Sequence, residues 1–207
     1  MKEICTYLKE NDYPGRGILV GKKGGEMLIA YFIMGRSVNS RNRVFRKKDG
    51  ILFTKAFDES KVADPSLIIY NAIRTYEGKT IVTNGDQTDT IHEFLKEGRT
   101  FEEALQTREY EPDAPNFTPR ISAIVEADRY KIAILKKKGE TCERLFYEYE
   151  GKDDLVHFIS TYDHDGDPLP SFSKDPISFE INDDIDSFAS RLWESLSSEN
   201  KVSLYVG

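Results

Sequence analysis

Short apolar segments separated by glycine-containing turns recur through most of the chain, and this pattern constrains the fold more than any other feature. Two-residue turns such as Asp49-Gly50 are typical of antiparallel hairpins, and Lys22 to Glu26 and Glu77 to Lys79 give similar turn signals. The predicted strands are residues 18–21, 27–34, 43–46, 51–55, 67–76, 80–83, 121–127, 130–138, 141–150, 155–161 and 202–206. The last 90 residues contain a meander, with turns at 128–129 and 139–140.

Three helices are predicted between these strands, at residues 88–96, 100–106 and 184–196. The second begins with a capping box formed by Thr100 and Glu103. Antiparallel hairpins with a few inserted helices favour the α+β class. Strands such as 67–69 are apolar on both faces, which indicates sheets covered on both sides. We expect two stacked sheets with helices outside, in a single domain over residues 1–207.

The charge balance limits the classes of partner. The chain has 29 Lys and Arg against 36 Asp and Glu, a formal net charge of -7, which argues against a nucleic-acid-binding surface. The N-terminus lacks the apolar core of a signal peptide, and no segment approaches the ~20 apolar residues that span a bilayer. Two cysteines, Cys5 and Cys142, are too few for a disulfide framework or a zinc site. We therefore expect a cytoplasmic protein with reduced thiols and no membrane partner.

An arginine-rich run, residues 35–43, follows the apolar segment 27–34. Its sequence is Gly-Arg-Ser-Val-Asn-Ser-Arg-Asn-Arg. The planar guanidinium of arginine suits a phosphate, and Ser and Asn add short hydrogen bonds. In an acidic chain, such a local positive region favours a small anion over a polymer. The alternative is a solvated loop after a buried strand.

Three further polar clusters lie beside predicted strand or helix ends, at residues 70–74, 84–87 and 110–121. They read Tyr-Asn-Ala-Ile-Arg, Asn-Gly-Asp-Gln and Tyr-Glu-Pro-Asp-Ala-Pro-Asn-Phe-Thr-Pro-Arg-Ile. Prolines fix the backbone of the last segment, and a rigid polar loop is an expected place for a functional site. The alternative for each cluster alone is a turn or a covering loop, but four clusters in one small domain favour a site.

The order of these four segments resembles the archaeal-type IMP cyclohydrolases. A fifth segment, Gly-Asp-Pro-Leu-Pro-Ser-Phe at residues 166–172, is also similar to that family. The resemblance runs from about Gly15 to the loop after Phe172. It implies a four-layer α-β-β-α sandwich of two mostly antiparallel sheets, similar to the N-terminal-nucleophile hydrolases. It also implies closure of 5-formamidoimidazole-4-carboxamide ribotide to IMP with loss of water, the last step of purine synthesis, with no metal or organic cofactor.

This reaction requires three kinds of group. An amide nitrogen is a poor nucleophile, so a general base must take its proton as it attacks the formyl carbon. The formyl oxygen gains charge and needs a donor, and the phosphate needs cations. For catalysis we assign Tyr70 as the acid and Glu111 as the base, with Asp113 as the second candidate base. Arg36 is the third residue assigned to catalysis. The substrate-binding candidates are Ser37, Asn39, Arg41, Arg43, Asn71, Asn84, Asp113, Asn116 and Arg120. Each has a structural alternative: Tyr70 is one of eleven tyrosines and suits a core strand.

Other candidates carry less weight. Asp86 is expected at a helix N-terminus, and His92 and His157 are expected to be structural. The alternating carboxylates of residues 163–167 resemble a calcium loop, but Lys174 stands where an EF-hand needs Glu, so we expect a loop at the edge of the site. Two other functions stay open: an amide hydrolase using Cys5, which is not N-terminal, and a purine-monophosphate-binding protein without catalysis. A homo-oligomer is also possible.

Overall fold

The computed structural model describes residues 3–62, 65 and 68–207, which form twelve strands and five α-helices. The strands are β1 (Arg16–Lys23), β2 (Glu26–Met34), β3 (Val44–Lys48), β4 (Ile51–Lys55), β5 (Asn71–Tyr76), β6 (Lys79–Thr83), β7 (Arg120–Glu126), β8 (Arg129–Lys138), β9 (Thr141–Glu150), β10 (Leu155–Ser160), β11 (Ile177–Glu180) and β12 (Lys201–Val206). The helices are α1 (Ile4–Lys9), α2 (Val38–Arg41), α3 (Gln87–Lys96), α4 (Phe101–Gln106) and α5 (Ile185–Ser195), with a 3₁₀ turn at Glu59–Lys61.

These strands form two sheets in which neighbouring strands run antiparallel. The first sheet has the order β11-β10-β1-β2-β12, and the second has the order β3-β4-β5-β6-β7-β8-β9. In the first sheet, Gly17 of β1 lies opposite Phe32 of β2 and Ser160 of β10. The predicted α+β class with two antiparallel sheets is therefore confirmed.

Buried apolar side chains form three cores, one between each pair of neighbouring layers. The core between the sheets joins Ile18 and Tyr31 of the first sheet to Ala72 and Ile132 of the second. On the outer face of the first sheet, α1 and α5 pack over residues such as Phe158. On the outer face of the second sheet, α3 and α4 cover a smaller core. The buried positions thus explain why several strands are apolar on both faces.

The hairpin predictions are confirmed because turn chemistry is local. Asp49 and Gly50 have φ of 50° and 78°, and Glu77 and Gly78 have φ of 46° and 76°. Positive φ at both central residues matches the right-handed twist of the flanking strands. The predicted helices also agree with α3, α4 and α5 to within a few residues.

The predicted strand 67–76 was too long. Leu67 lies outside the described residues, Ile68 is in a turn, and β5 begins only at Asn71. In place of a neighbouring strand, the Thr54 side chain hydrogen-bonds the backbone here. Its hydroxyl donates to the carbonyl of Ile68 at 2.7 Å and accepts from the Tyr70 N–H at 2.9 Å. These bonds fix the backbone just before β5 and so place Tyr70.

Three elements were missing from the sequence prediction: α1, α2 and β11. They have six, four and four residues, respectively. Segments this short do not show a periodicity that distinguishes them from loops. Among the described residues, no helix is long and apolar enough to cross a bilayer.

The capping box of α4 provides a stability prediction. The Thr100 side chain accepts the N–H of Glu103 at 3.1 Å, and the Glu103 carboxylate accepts the N–H of Thr100 at 2.8 Å. Replacing Thr100 with Ala is expected to lower the free energy of unfolding by about 0.5–2 kcal/mol. Urea unfolding measures this, with Thr6→Ala on the exposed face of α1 as the control. Equal stability of the two variants would contradict the role of the cap.

Candidate active site

A buried ion pair lies where β1 begins. Nη2 of Arg16 lies 3.0 and 3.1 Å from the two carboxylate oxygens of Glu111, and both side chains are less than a tenth exposed. The preceding Gly15 has a φ of 77°, and a Cβ there would lie 2.2 Å from Oγ1 of Thr161. The glycine therefore allows the close approach in which the Arg16 N–H donates to that hydroxyl at 3.1 Å. We call Arg16 and Glu111 the central pair.

Burial and charge act in opposite directions on the central pair. Burial raises the pKa of the Glu111 carboxyl above its ordinary value, and the Arg16 guanidinium opposes this rise. For Arg16, burial works against the charged form, but the Glu111 carboxylate holds the guanidinium pKa well above its usual range. A buried carboxylate with a raised pKa is a stronger base than an exposed one, which suits proton transfer.

Two tyrosine hydroxyls lie near the central pair. The hydroxyls of Tyr31 and Tyr70 are 2.6 Å apart and buried. Burial, followed by the charge of Tyr70, raises the pKa of Tyr31 well above its ordinary value, while Arg16 and Arg43 oppose the rise. Both tyrosines contribute to the raised pKa of the Arg16 guanidinium, so they belong to the same electrostatic cluster. Only one proton fills the bond between two hydroxyls, and the second proton is available to a ligand.

A cavity of about 210 Å³ opens beside this cluster. Polar side chains from four parts of the chain line most of it. The lining residues are Tyr13, Arg16, Arg36, Ser37, Ser40, Asp113, Asn116, Thr118, Tyr162 and Leu169. It is small and mostly polar, which suits a polar small molecule better than an apolar ligand.

One wall of the cavity comes from the arginine-rich run, and the loop of residues 163–167 contacts this wall. Nη1 of Arg36 donates to Asp165 at 2.5 Å and to the carbonyl of Gly166 at 3.0 Å, and its guanidinium lies 5.0 Å from the Tyr13 ring. Ser37 caps α2 through reciprocal bonds with Ser40. The 163–167 loop, which the sequence analysis expected at the edge of the site, thus contacts a residue that lines the cavity.

Another part of the cavity lining holds a chain of hydroxyls. Oγ1 of Thr118 lies 2.5 Å from the Tyr162 hydroxyl and 2.5 Å from Oδ2 of Asp113. The other Asp113 oxygen accepts the Thr118 N–H at 2.7 Å. Burial raises the pKa of Tyr162 to about 12, although Arg16 opposes this, so the phenol is protonated at neutral pH.

A network of amides and charges supports Glu111 from behind. The side-chain amide nitrogen of Asn84 lies 3.5 Å from Oε1 of Glu111. The side-chain oxygen of Asn84 accepts hydrogen bonds from the Gln87 amide and from the Ile121 N–H. Nη1 of Arg120 donates to Asp86 and to Gln87, at 2.7 Å each. Because these groups are largely buried and satisfied, they fix the position of the carboxylate.

The structure brings together most of the predicted site residues, including all three proposed catalytic ones. Those that line the cavity or border the central pair are Arg36, Ser37, Arg43, Tyr70, Asn84, Glu111, Asp113, Asn116 and Arg120. Asn116 holds the neighbouring loop, since its side chain accepts the Leu169 N–H at 3.0 Å.

Three other predicted residues are placed differently. Asn71 donates to both carboxylate oxygens of Asp89 in α3, at 2.9 and 3.1 Å, on the outer side of the second sheet. Arg41 is exposed in the last turn of α2, and Asn39 is half-buried in the same helix. The sequence analysis places Asn71 in the site together with Tyr70, and this placement is wrong. Consecutive residues of an extended chain face opposite sides, so Asn71 points away from Tyr70.

Several site residues were not among the predicted ones, including Arg16, Tyr31, Thr118 and Tyr162. Arg16 had a usable signal, because a charged residue between Gly15 and Gly17 opens an apolar strand. A buried arginine needs a partner, which points to a site. Tyr31 lies within the apolar run of β2, and nothing in the sequence separates it from core aromatics.

The residues outside the site have structural surroundings. Cys5 is buried in α1 within the outer core of the first sheet. His157 stacks on Tyr149 with 3.7 Å between ring centroids, and its Nδ1 lies 2.5 Å from the Tyr130 hydroxyl. Burial lowers the pKa of His157 to about 4, so it is neutral at neutral pH. Asp86 stands at the N-terminus of α3, as expected, but pairs with Arg108 and Arg120 instead of capping the helix.

Comparison with known proteins identifies relatives with the same name. The chain is 31% identical over 131 residues to the IMP cyclohydrolase of Methanocella arvoryzae, which covers 61% of this chain and 64% of that protein. It is 29% identical over 155 residues to the IMP cyclohydrolase of Methanopyrus kandleri, covering 72% and 75%. It is 27% identical over 186 residues to that of Haloquadratum walsbyi, covering 88% and 84%. The match to the Methanocella protein thus spans less than two thirds of that protein's length.

The sequence model of one protein family, described as IMP cyclohydrolase-like protein, matches residues 13–207 of this chain. This range includes β1, with Arg16, and every other site residue described above. Since the match leaves out only the first twelve residues, the chain belongs to the IMP cyclohydrolase-like protein family.

Proposed function

We propose that this protein is an IMP cyclohydrolase that closes 5-formamidoimidazole-4-carboxamide ribotide to IMP. The carboxamide nitrogen attacks the formyl carbon, a C–N bond forms, and the formyl oxygen leaves as water. That water takes up two protons, while the substrate loses one from the carboxamide nitrogen and one from the formamide nitrogen. The site must therefore accept and supply protons, polarise one oxygen and hold a phosphate.

The observation that carries this proposal is the central pair beside two buried tyrosine hydroxyls and a polar cavity. In the proposed mechanism, Glu111 takes the carboxamide proton, since burial raises its pKa. Tyr70, whose hydroxyl contacts that of Tyr31, donates to the formyl oxygen. Arg16 adds a buried positive charge where negative charge develops. The names of the archaeal relatives support the same reaction.

An arginine-lined wall of the cavity is the proposed site of the 5′-phosphate. Arg36 and Ser37 line this wall, and Arg41 and Arg43 stand on the same short segment. Arg43 is buried, and its Nε donates to the carbonyl of Ser40 at 2.8 Å. It also lies close enough to Tyr31 to act on its pKa. We infer that Arg36 meets the phosphate and that Arg43 faces the interior.

The two other candidate functions have less support. An amide hydrolase would need Cys5 at the site, whereas Cys5 is buried with Ile4 and Leu8 in the outer core of the first sheet. A binding protein without catalysis would not require the buried Glu111 carboxylate, which is costly to keep in the fold.

The layer order supports a further structural proposal. Helices lie outside each of two antiparallel sheets, which fits the four-layer sandwich of the N-terminal-nucleophile hydrolases. Because the two sheets share a core of their own, we also infer a single domain.

An assay of the purified protein tests the proposed function directly. The protein is mixed with 5-formamidoimidazole-4-carboxamide ribotide, and IMP is quantified against time by chromatography. We expect enzyme-dependent formation of IMP that scales with protein concentration. IMP binding without turnover would support the binding protein instead, and absence of both would contradict the proposal.

The phosphate wall gives a binding prediction. Replacing Arg36 with Ala is expected to weaken IMP binding by about 1.5–3 kcal/mol, the value of a hydrogen bond to a charged group. Inosine, which lacks the phosphate, should bind equally to the variant and the wild type. Calorimetry with both ligands measures the difference, and Arg46→Ala on the exposed part of β3 is the matched control. Equal losses for IMP and inosine would show that Arg36 does not contact the phosphate.

A further inference from the structure

The hydroxyl chain formed by Tyr162, Thr118 and Asp113 has a fixed direction of hydrogen bonding. A carboxylate only accepts, and a threonine hydroxyl has a single proton. Since Oγ1 of Thr118 lies 2.5 Å from Oδ2 of Asp113, its proton goes to that carboxylate. The Tyr162 hydroxyl, 2.5 Å away on the other side, must therefore donate to Thr118. The bonds run from Tyr162 through Thr118 to Asp113 without a gap.

This chain lies beside the reacting groups. All three of its residues line the same cavity as Arg16, and the charges of Arg16 and Glu111 both act on Tyr162. The Glu111 N–H donates to the Thr118 carbonyl at 2.8 Å, so the proposed base and the hydroxyl chain share one loop. Tyr162 and Thr118 are buried, whereas Asp113 is half-buried. The chain thus leads from the buried end of the cavity towards its more open part.

The proposed reaction leaves one proton without an acceptor. Glu111 takes the carboxamide proton and can return it to the leaving hydroxyl, and Tyr70 supplies the other proton of the departing water. The formamide nitrogen must also lose its proton as the second C–N bond gains double-bond character. While the water departs, Glu111 and Tyr70 both face its oxygen, to which they give their protons, so a third group is needed to take the formamide proton.

We propose that Tyr162, Thr118 and Asp113 form a proton relay that accepts this second proton. The inference rests on the proposed function. As water departs, the formamide proton passes to the Tyr162 oxygen, the Tyr162 proton passes to Thr118, and the Thr118 proton passes to Asp113. The chain ends with neutral Asp113 and reversed hydrogen bonds. Asp113 then releases its proton to solvent, and Tyr70 recovers one, so that the enzyme is restored.

Arg16 favours the step in which Tyr162 gives its proton to Thr118. The guanidinium stabilises negative charge on the Tyr162 oxygen and thereby opposes the effect of burial on the phenol. Thr118 is then a positioning residue that passes a proton without touching the substrate, and Tyr162 is the group that meets the substrate. No metal or additional reactant is needed, because each hop moves a single proton between oxygen or nitrogen atoms.

The test replaces Thr118 with Val, which keeps the shape and removes the hydroxyl. We expect kcat to fall by about 10²-fold, the lower end of the range for acid–base assistance, while IMP affinity stays unchanged. Thr118→Ser should recover most of the loss, since serine restores the hydroxyl. The ratio of kcat in H₂O to kcat in D₂O should be smaller in the valine variant. Thr75→Val, exposed on β5 at the far end of the sheet, is the matched control.

Tyr162→Phe provides a second, independent break of the chain. It should lower kcat and the solvent isotope effect as the valine variant does, and it decides the matter if Thr118→Val does not fold. Wild-type kcat in both variants, with IMP formed by the wild type, would overturn the relay and leave the proposed function intact. Equal losses in the valine and serine variants with weakened IMP binding would also overturn it, since they indicate a structural role. A wild type that forms no IMP would contradict the proposed function itself.

Discussion

Replacing Arg16 with Met is expected to lower the free energy of unfolding by about 3–5 kcal/mol, because it leaves the Glu111 carboxylate buried without its partner. Both side chains are less than a tenth exposed, so solvent cannot take over the role of the guanidinium. Methionine keeps an unbranched, apolar side chain in place of the arginine stem, so the main change is the loss of charge. Urea unfolding at neutral pH measures the effect, and IMP formation should be lost in the same variant.

The pH dependence of this loss identifies its cause. Arg16 is the main group that lowers the Glu111 pKa against the effect of burial, so its removal raises that pKa further. A carboxyl whose pKa is higher in the folded state than in the unfolded state contributes stability below its ordinary pKa and loses it as the pH rises through the folded value. The deficit of Arg16→Met should therefore be largest at neutral pH and shrink towards the ordinary carboxyl pKa of 4.5.

A double variant completes the test. Arg16→Met combined with Glu111→Gln removes both charges and should recover part of the stability and lose the pH dependence of the deficit. Interaction energies between neighbouring residues are read from such cycles. A deficit in Arg16→Met that does not change with pH, or that stays equal in the double variant, would show that packing and not charge causes the loss.

The local features of the fold were predictable, whereas the centre of the site was not. Asp49-Gly50 and the Thr100–Glu103 capping box are set by residues a few positions apart, and both appear where the sequence placed them. Arg16 and Glu111 are 95 positions apart. The partner of a buried arginine depends on how β1 and the loop before β7 meet in space, and a single sequence does not contain that information.

Strand geometry explains the error at Asn71. The segment of residues 70–74 was interpreted as one polar cluster, but side chains alternate between the two faces of a strand. Tyr70 reaches Tyr31 between the sheets, and Asn71 reaches Asp89 on the helical side. The turn at Glu77-Gly78 and the hydrogen bond from the Tyr70 N–H to the Thr54 hydroxyl help to fix the register of β5. This register determines which of the two neighbours lies at the site.

Conservative changes at the proposed acid and base, Tyr70→Phe and Glu111→Gln, are expected to lower kcat by about 10²–10⁴-fold each, the usual range for acid–base assistance. Each change keeps the size of the side chain, so binding of IMP should change far less than turnover. A group that acts mainly in the transition state lowers kcat and kcat/KM together. Steady-state assays of IMP formation and calorimetry with IMP separate the two effects.

The surroundings of both residues set the controls. Tyr70→Phe leaves the buried Tyr31 hydroxyl without its 2.6 Å partner, which costs about 1–3 kcal/mol of stability, so unfolding must be measured beside turnover. Tyr76→Phe, partly exposed on β5, and Glu126→Gln, exposed at the end of β7, make the same chemical changes away from the site. Both controls should turn over like the wild type. If Tyr70→Phe or Glu111→Gln is folded and turns over like the wild type, that residue takes no part in the proton transfers. Such a result for Glu111→Gln would make the hydroxyl chain ending at Asp113 the stronger candidate for the base.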